Sequence, residues 1–405
     1  MIKWTFLFLL QIVVILPAAV ASDRQIKFDL PLKTSRSRPS VLGGPQDRAE
    51  FTVWIPAGLK TVRGGICNPF SKMEDVSPHW QAACRHWGFA YVQADFDAVR
   101  KDEYMLLAAA LKQAAIETGR AELASLPLCF LGMSRGGGMS MELAGLMPAR
   151  TIASVPVCLE VGPSSPATRQ IPILTVFGDK DGAQLERLLQ KLPGERREEA
   201  RWAVAVQWGR RHEFGQANNL SFVFLDDVIR TRLSYETDAS LQADLKPYQL
   251  ANGWLSGPIE WVKNKPTLTA PPAAPYDRFD GDRSSSVWLP TARAASVWQA
   301  FVSASREVQI AEPAGLGDGQ KFAIQPADRP LKVAAKIAGD KPTSVEVWNG
   351  NVQLTTISAE PWRTEVGPLK PGIHSIIVKA IGVDATRSSR PHTIVVAAAA
   401  TESDD

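Results

Sequence analysis

Leu128-Cys129-Phe130-Leu131-Gly132-Met133-Ser134-Arg135-Gly136 runs from an apolar, strand-like stretch through a Gly-x-Ser-x-Gly turn. It enters a segment with Met139, Leu143 and Leu146 at helical spacing that closes at Pro148. Strand, tight turn and helix in that order give the motif its meaning. A serine hydroxyl is a poor nucleophile at its own pKa, so it has to be exposed beside a base and oxyanion donors. A sharp turn provides the exposure, and Gly132 and Gly136 let strand and helix crowd together. The helix start then offers backbone N–H groups to a developing negative charge.

Outward from this turn, residues 50–212 alternate between strand-like and helix-like segments, the pattern of a largely parallel α/β sheet. Phe51-Thr52-Val53-Trp54-Ile55 alternates and stops at Pro56, which predicts an early antiparallel strand. Residues 62–67, 89–94, 151–157, 171–177 and 202–208 read as further strands. Helices are expected over 80–87, 103–118, 185–192 and 219–233.

A nucleophilic serine needs a base to take its proton and an acid to orient that base. The strand 171–177 opens directly into Gly178-Asp179-Lys180-Asp181-Gly182. A carboxylate just past a parallel strand's C-terminal end lies on the ligand-binding edge of an open α/β sheet. Asp179 and Asp181 both qualify. Asp181 is preferred because it stands further into the loop, although either acid can instead cap the following helix. The base follows by elimination. His374 and His392 fall in a β-rich region, and His79 and His86 flank a packing helix. His212 alone follows Asp181 within the α/β region, just after a strand. The order Ser, Asp, His is the one that accompanies this elbow. One oxyanion donor is expected from the backbone N–H of Arg135. The second is expected from Asn68 or Phe70, because Pro69 between them has no N–H.

Residues 50–233 resemble the α/β-hydrolase superfamily, nearest to secreted esterases of the polyhydroxybutyrate-depolymerase and dienelactone-hydrolase kind. The resemblance rests on Gly132-Met133-Ser134-Arg135-Gly136, Gly178-Asp179-Lys180-Asp181 and His212. It implies a doubly wound, mainly parallel eight-stranded sheet and acyl transfer through a serine ester. It does not specify the substrate. The chain departs from many such esterases in having no His-Gly pair or Gly-Gly-Gly run after strand 62–67. Glucuronoyl esterases also carry Arg after the elbow serine, and there an acid from another strand can serve. That makes Glu160, in Cys158-Leu159-Glu160-Val161-Gly162, a reserve acid beside Asp179.

The chain ends are equally readable. A charged start, an apolar run over 4–16, Pro17 and Ala19-Val20-Ala21 form a secretory signal pattern, with cleavage expected after Ala21. The run is short for a membrane anchor. The protein is therefore expected to be secreted or periplasmic, with no membrane association after cleavage. Forty-five basic and 42 acidic residues give a net charge of +3, and no basic cluster interleaves with aromatics, so nucleic acid is not an expected partner. The four cysteines read as buried free thiols. No Cys-x-x-Cys or His-Glu-x-x-His run points to a metal, and no cofactor is expected.

The α/β-hydrolase part is expected over 22–264 and a Pro/Ala-rich connection with a short helix over 265–326. Beyond it, short strands separated by Pro/Gly turns, with Asn349-Gly350 as a hairpin turn, predict a small all-β sandwich over 327–397. This part resembles immunoglobulin-like modules of secreted enzymes. A disordered tail is expected at 398–405. The expected activity is cleavage of carboxylic esters, with a polysaccharide-linked or polymeric ester as a candidate substrate. Trp80, Trp202, Trp208 and Trp254 can stack on sugar rings or, as large apolar side chains usually do, fill the core. A serine peptidase of related fold and a non-catalytic binding or scaffold protein are the alternatives.

Overall fold

The computed structural model describes residues 22–32, 48–71, 75–95, 101–159, 164–233, 245–257, 261, 271–303, 305–313 and 324–398. The expected signal segment 1–21, Glu160, residues 265–270, 304 and 314–323 of the expected connection and residues 399–405 of the tail lie outside them.

The alternation of apolar and amphipathic segments builds one mixed sheet. In chain order its first half contains β1 (Arg24–Pro31), β2 (Arg48–Ile55), β3 (Gly64–Asn68), α1 (Pro78–Trp87), β4 (Phe89–Asp95), α2 (Lys101–Tyr104), α3 (Leu106–Thr118), β5 (Leu128–Met133) and α4 (Arg135–Leu146). Its second half contains β6 (Thr151–Val157), α5 (Pro166–Arg169), β7 (Ile173–Gly178), α6 (Gly182–Arg197), β8 (Trp202–Gln207) and α7 (Asn218–Arg232). The strands lie in the order β1-β2-β4-β3-β5-β6-β7-β8. β2 runs antiparallel to both neighbours, and every pair from β4 onward is parallel. Strands β6, β7 and β8 are buried at every residue, as parallel strands covered on both faces must be. The expected doubly wound, mainly parallel sheet is present. β1 adds an edge strand that alternates between exposed and half-buried residues, with no apolar run to announce it.

Beyond α7, β9 (Trp254–Ser256), β10 (Ala273–Pro275) and β11 (Val287–Leu289) form a small sheet in the order β10-β9-β11. The short helix α8 (Ala292–Val302) follows. Its Trp298 is fully buried and donates its indole N–H to the Val204 carbonyl of β8 at 2.7 Å. Thus α8 packs on the large sheet.

The β-rich part comprises β12 (Val308–Glu312), β13 (Ile324–Pro326), β14 (Leu331–Ile337), β15 (Ser344–Asn349), β16 (Val352–Ile357), β17 (Arg363–Val366), β18 (Gly372–Ile381), β19 (Thr386–Ser388) and β20 (His392–Ala397). One sheet has the order β12-β14-β17. The other has the order β13-β20-β18-β15-β16, with β19 paired to β18. Val333, Val345, Val347, Trp362, Val378 and Ile394 fill a second core belonging to these strands. The expected sandwich is present, and pairing of β12 with β14 carries it back to Val308. Gly350 turns the β15–β16 hairpin at φ 58°.

The sandwich and the large sheet share a buried ionic junction. Asp226 and Asp227 stand on α7, exposed at 0% and 6%. Arg293 of α8 donates from Nε to Asp227 at 2.9 Å, from Nη2 to Asp226, and from Nη1 to the Ile373 carbonyl of β18 at 3.1 Å. Trp87 also donates to Asp226, at 2.9 Å. Burial alone would raise the Asp226 carboxyl. The His86 hydrogen bond and the Arg293 and Arg230 cations outweigh burial and hold it well below the usual carboxylate range.

Candidate active site

Ser134 occupies the turn between β5 and α4 with φ 52° and ψ −117°, a backbone region sparsely populated by residues with a Cβ. Such a conformation costs on the order of 1–3 kcal/mol and persists only where its surroundings enforce it. Here the Ser134 N–H donates to the Val157 carbonyl of β6 at 2.8 Å, and its carbonyl accepts from Gly138 at 3.1 Å. A Cβ on Gly132 would overlap the Gly136 backbone, so strand and helix approach too closely for any side chain at position 132. Gly136 in turn lies against the β3 loop. A Cβ there would stand 3.3 Å from Phe70 Cβ and 3.9 Å from Asn68 Oδ1. The expected oxyanion residues thus meet at one place, with Arg135 as the first residue of α4 and Asn68 and Phe70 facing Gly136. The Phe70 N–H donates to the Asn68 side chain across 3.4 Å.

Asp181 follows β7 at the N-cap position of α6, yet its side chain caps nothing. Its Oδ2 instead stands 2.9 Å from His212 Nδ1. The imidazole is 39% exposed and the carboxylate 14%, so the pair sits at the surface end of the sheet. Asp179 is buried and takes a different role. Its Oδ1 accepts the Arg210 backbone N–H at 3.0 Å, which ties the β7 loop to the segment carrying His212. β5, β7 and β8 run parallel in one sheet, so Ser134, Asp181 and His212 all leave its C-terminal edge.

The histidine segment is held from below. The Lys180 N–H donates to the Arg210 carbonyl at 2.9 Å. Gln207, fully inside the sheet edge, donates to the carbonyls of Glu213 and Phe214 at 3.3 and 3.2 Å and accepts from the Gln216 N–H at 3.0 Å. Arg390 of the sandwich reaches across to the Trp208 carbonyl at 2.6 Å and the Gln216 side chain at 3.1 Å. Gly209, at φ 80°, makes the turn that starts the segment.

One neighbour was not foreseen from the sequence. Cys158 follows β6 directly in a left-handed conformation, φ 55°, and its side chain is buried. Its Sγ lies 3.3 Å from the Glu213 carbonyl, and Sγ, an Asp181 oxygen and a His212 nitrogen lie within 4.8 Å of one another. Burial pushes the thiol up to about 11, and the Asp181 charge adds to that. All four cysteines are free and buried, as their apolar contexts imply. Trp80, Trp202 and Trp208 lie in the core, exposed at 6%, 1% and 4%, whereas Trp254 is half-buried.

Strand order, the antiparallel second strand and the strained serine at the β5–α4 turn together decide the architecture. The larger part of the chain has the α/β-hydrolase fold. No protein-family model and no curated protein matches the chain. Among solved structures, the chain is similar to a dienelactone hydrolase-like promiscuous phosphotriesterase from metagenomic libraries. That likeness has 19% identity and a TM-score of 0.34, over 49% of this chain and 87% of the other. A feruloyl esterase module from Clostridium thermocellum matches at 12% identity, with a TM-score of 0.32, over 48% of this chain and 84% of the module. Fibronectin(III)-like modules of Clostridium thermocellum CbhA match at 18% identity, with a TM-score of 0.20, over 22% of this chain and 93% of theirs.

Proposed function

We propose that this protein is a serine hydrolase that cleaves carboxylic esters through an acyl-enzyme. One observation carries the reading: the 2.9 Å contact between His212 and Asp181 at the sheet edge where Ser134 stands in its strained turn. The carboxylate holds the proton on His212 Nδ1, which leaves the lone pair on Nε2 for the serine proton. Ser134 Oγ then bonds to the acyl carbon while His212 takes its proton. The oxyanion faces the Arg135 N–H and a donor from Asn68 or Phe70. Collapse expels the alcohol, which takes its proton from His212. Water, deprotonated by the same imidazole, releases the acid and restores the serine.

Removal of the 1–21 segment at a membrane and release outside the cytoplasm complete the reading. The half-buried Trp254 and the appended sandwich favour an ester on a polysaccharide or polymer as substrate. The decisive experiment is labelling with a fluorophosphonate and peptide mapping. Label on Ser134, lost in Ser134→Ala and His212→Ala, is the expected result. Label elsewhere, or p-nitrophenyl acetate hydrolysis that survives Ser134→Ala, defeats the proposal. Faster turnover of aminoacyl p-nitroanilides than of esters would move the protein to the peptidases.

A further inference from the structure

The buried thiol beneath the acid–base pair has no part in ester hydrolysis, yet it completes a set of three different metal-ligating side chains. Cys158 Sγ comes from just after β6, the Asp181 carboxylate from the β7 loop and the His212 imidazole from the segment after β8. Zinc bonds to Cys, His and Asp at about 2.0–2.3 Å, and tetrahedral geometry then sets ligand atoms roughly 3.3–3.8 Å apart. The three atoms here already lie within 4.8 Å of one another. Shifts of about 1 Å, within reach of side-chain rotation, close the cluster on an ion. Thiolate, imidazole and carboxylate form the mixed S, N, O set that suits zinc and suits calcium or magnesium poorly.

We infer that Cys158, Asp181 and His212 form a zinc site that switches the hydrolase off. The inhibitory consequence rests on the serine-hydrolase reading; the binding site does not. On binding, the Cys158 thiol loses its proton to solvent and its contact with the Glu213 carbonyl, and sulfur bonds to the ion. A neutral imidazole has one nitrogen lone pair to give. If the ion takes Nδ1, the ring proton sits on Nε2; if it takes Nε2, that lone pair is occupied. In both cases Ser134 loses its base. Asp181, drawn to the ion, no longer orients the ring. Water fills the fourth position.

The test uses the chelator-treated full chain, zinc chloride, and the variants Cys158→Ser and Cys158→Ala. Equilibrium dialysis reads binding without reference to activity. Wild type is expected to hold one zinc per chain in the micromolar range, and both variants are expected to bind at least about tenfold more weakly. Half-inhibition of ester cleavage by zinc should shift upward by the same factor, each variant being compared with its own zinc-free rate. Magnesium should neither bind nor inhibit. Thermal melting of each variant separates a lost ligand from a lost fold, and two variants of different size guard against one failing to fold. Equal zinc affinity in wild type and both folded variants overturns the inference, as does absence of micromolar binding to wild type. Should wild type bind zinc through Cys158 yet show neither esterase activity nor fluorophosphonate labelling, the site stands and the hydrolase reading falls.

Discussion

Asp179 accepts the backbone N–H of Arg210 at 3.0 Å, so the loop that carries Asp181, the proposed orienting acid, is fastened to the loop that carries His212, the proposed base. The two aspartates two residues apart divide the work: Asp181 contacts the imidazole, and Asp179 holds the backbone under it. Substitution should separate them. Asp181→Ala is expected to lower kcat by about a hundred- to ten-thousandfold. Asp179→Ala removes only the fastening, and a base misplaced by about 1 Å costs on the order of a hundredfold or less. Hydrogen exchange over 209–217 should quicken in Asp179→Ala and stay unchanged in Asp181→Ala. Equal exchange in both would show that Asp179 does not hold the loop.

Gln207 fixes the same segment from the strand side, through hydrogen bonds to Glu213, Phe214 and Gln216. Gln207→Leu keeps the volume and strands three backbone groups. It is expected to cost about 1–3 kcal/mol in urea unfolding and to reduce kcat more than KM. A variant that loses stability but keeps wild-type kcat would mean that the base does not depend on this support.

Gly132→Ala tests the elbow. Its methyl group would overlap the Gly136 backbone, which has no flexible end to move aside. Overpacking of this kind costs about 1–3 kcal/mol. Because the strain falls between strand and serine, fluorophosphonate labelling of Ser134 should fail in protein that remains folded by circular dichroism.

Arg293 compensates two buried carboxylates from a neighbouring helix. Arg293→Met leaves Asp226 and Asp227 facing each other without it, and breaking such a buried pair costs about 3–5 kcal/mol. Calorimetry should show a lowered transition. Restoring wild-type stability by adding Asp227→Asn would attribute the loss to uncompensated charge; failure of that rescue would attribute it to packing.

Acid should destabilise the fold through His79. This imidazole lies beside the packed rings of Trp80 and Phe222, and burial pushes it from 6.5 down to about 3. Between those values the unfolded chain binds the proton and the folded chain does not, so stability is full above about pH 6.5 and falls as pH drops. From pH 7 to pH 5 the loss attributable to this residue is on the order of 2 kcal/mol. His79→Leu should flatten the stability profile over that interval by a comparable amount. Parallel profiles for the two proteins would exclude His79 as the cause.

Much of this architecture was legible because its signals are local. Strand, Gly-x-Ser-x-Gly and helix are contiguous, and Asp181 and His212 each follow an apolar strand, so chain order alone places them at one edge. The hairpin at Asn349-Gly350 is legible for the same reason. What escaped was contact between distant segments. Cys158 reads as one more buried thiol until β6, β7 and β8 align. Asp226 and Asp227 are compensated only once α8 brings Arg293 over them, a contact that helical spacing over 219–233 does not announce. β1 has no hydrophobic run because an edge strand buries little. Asp179 looks like a helix cap from sequence, since nothing in its own neighbourhood names Arg210.

Arg390 belongs to the sandwich yet props the turn at Trp208 and Gln216 from which His212 hangs. Gene truncations that retain only the sheet-containing portion would discard this strut, together with the Thr393 contacts to Asn219. An isolated N-terminal fragment is therefore a poor stand-in when turnover is assayed, and libraries evolved for new substrates should keep the appended strands in frame.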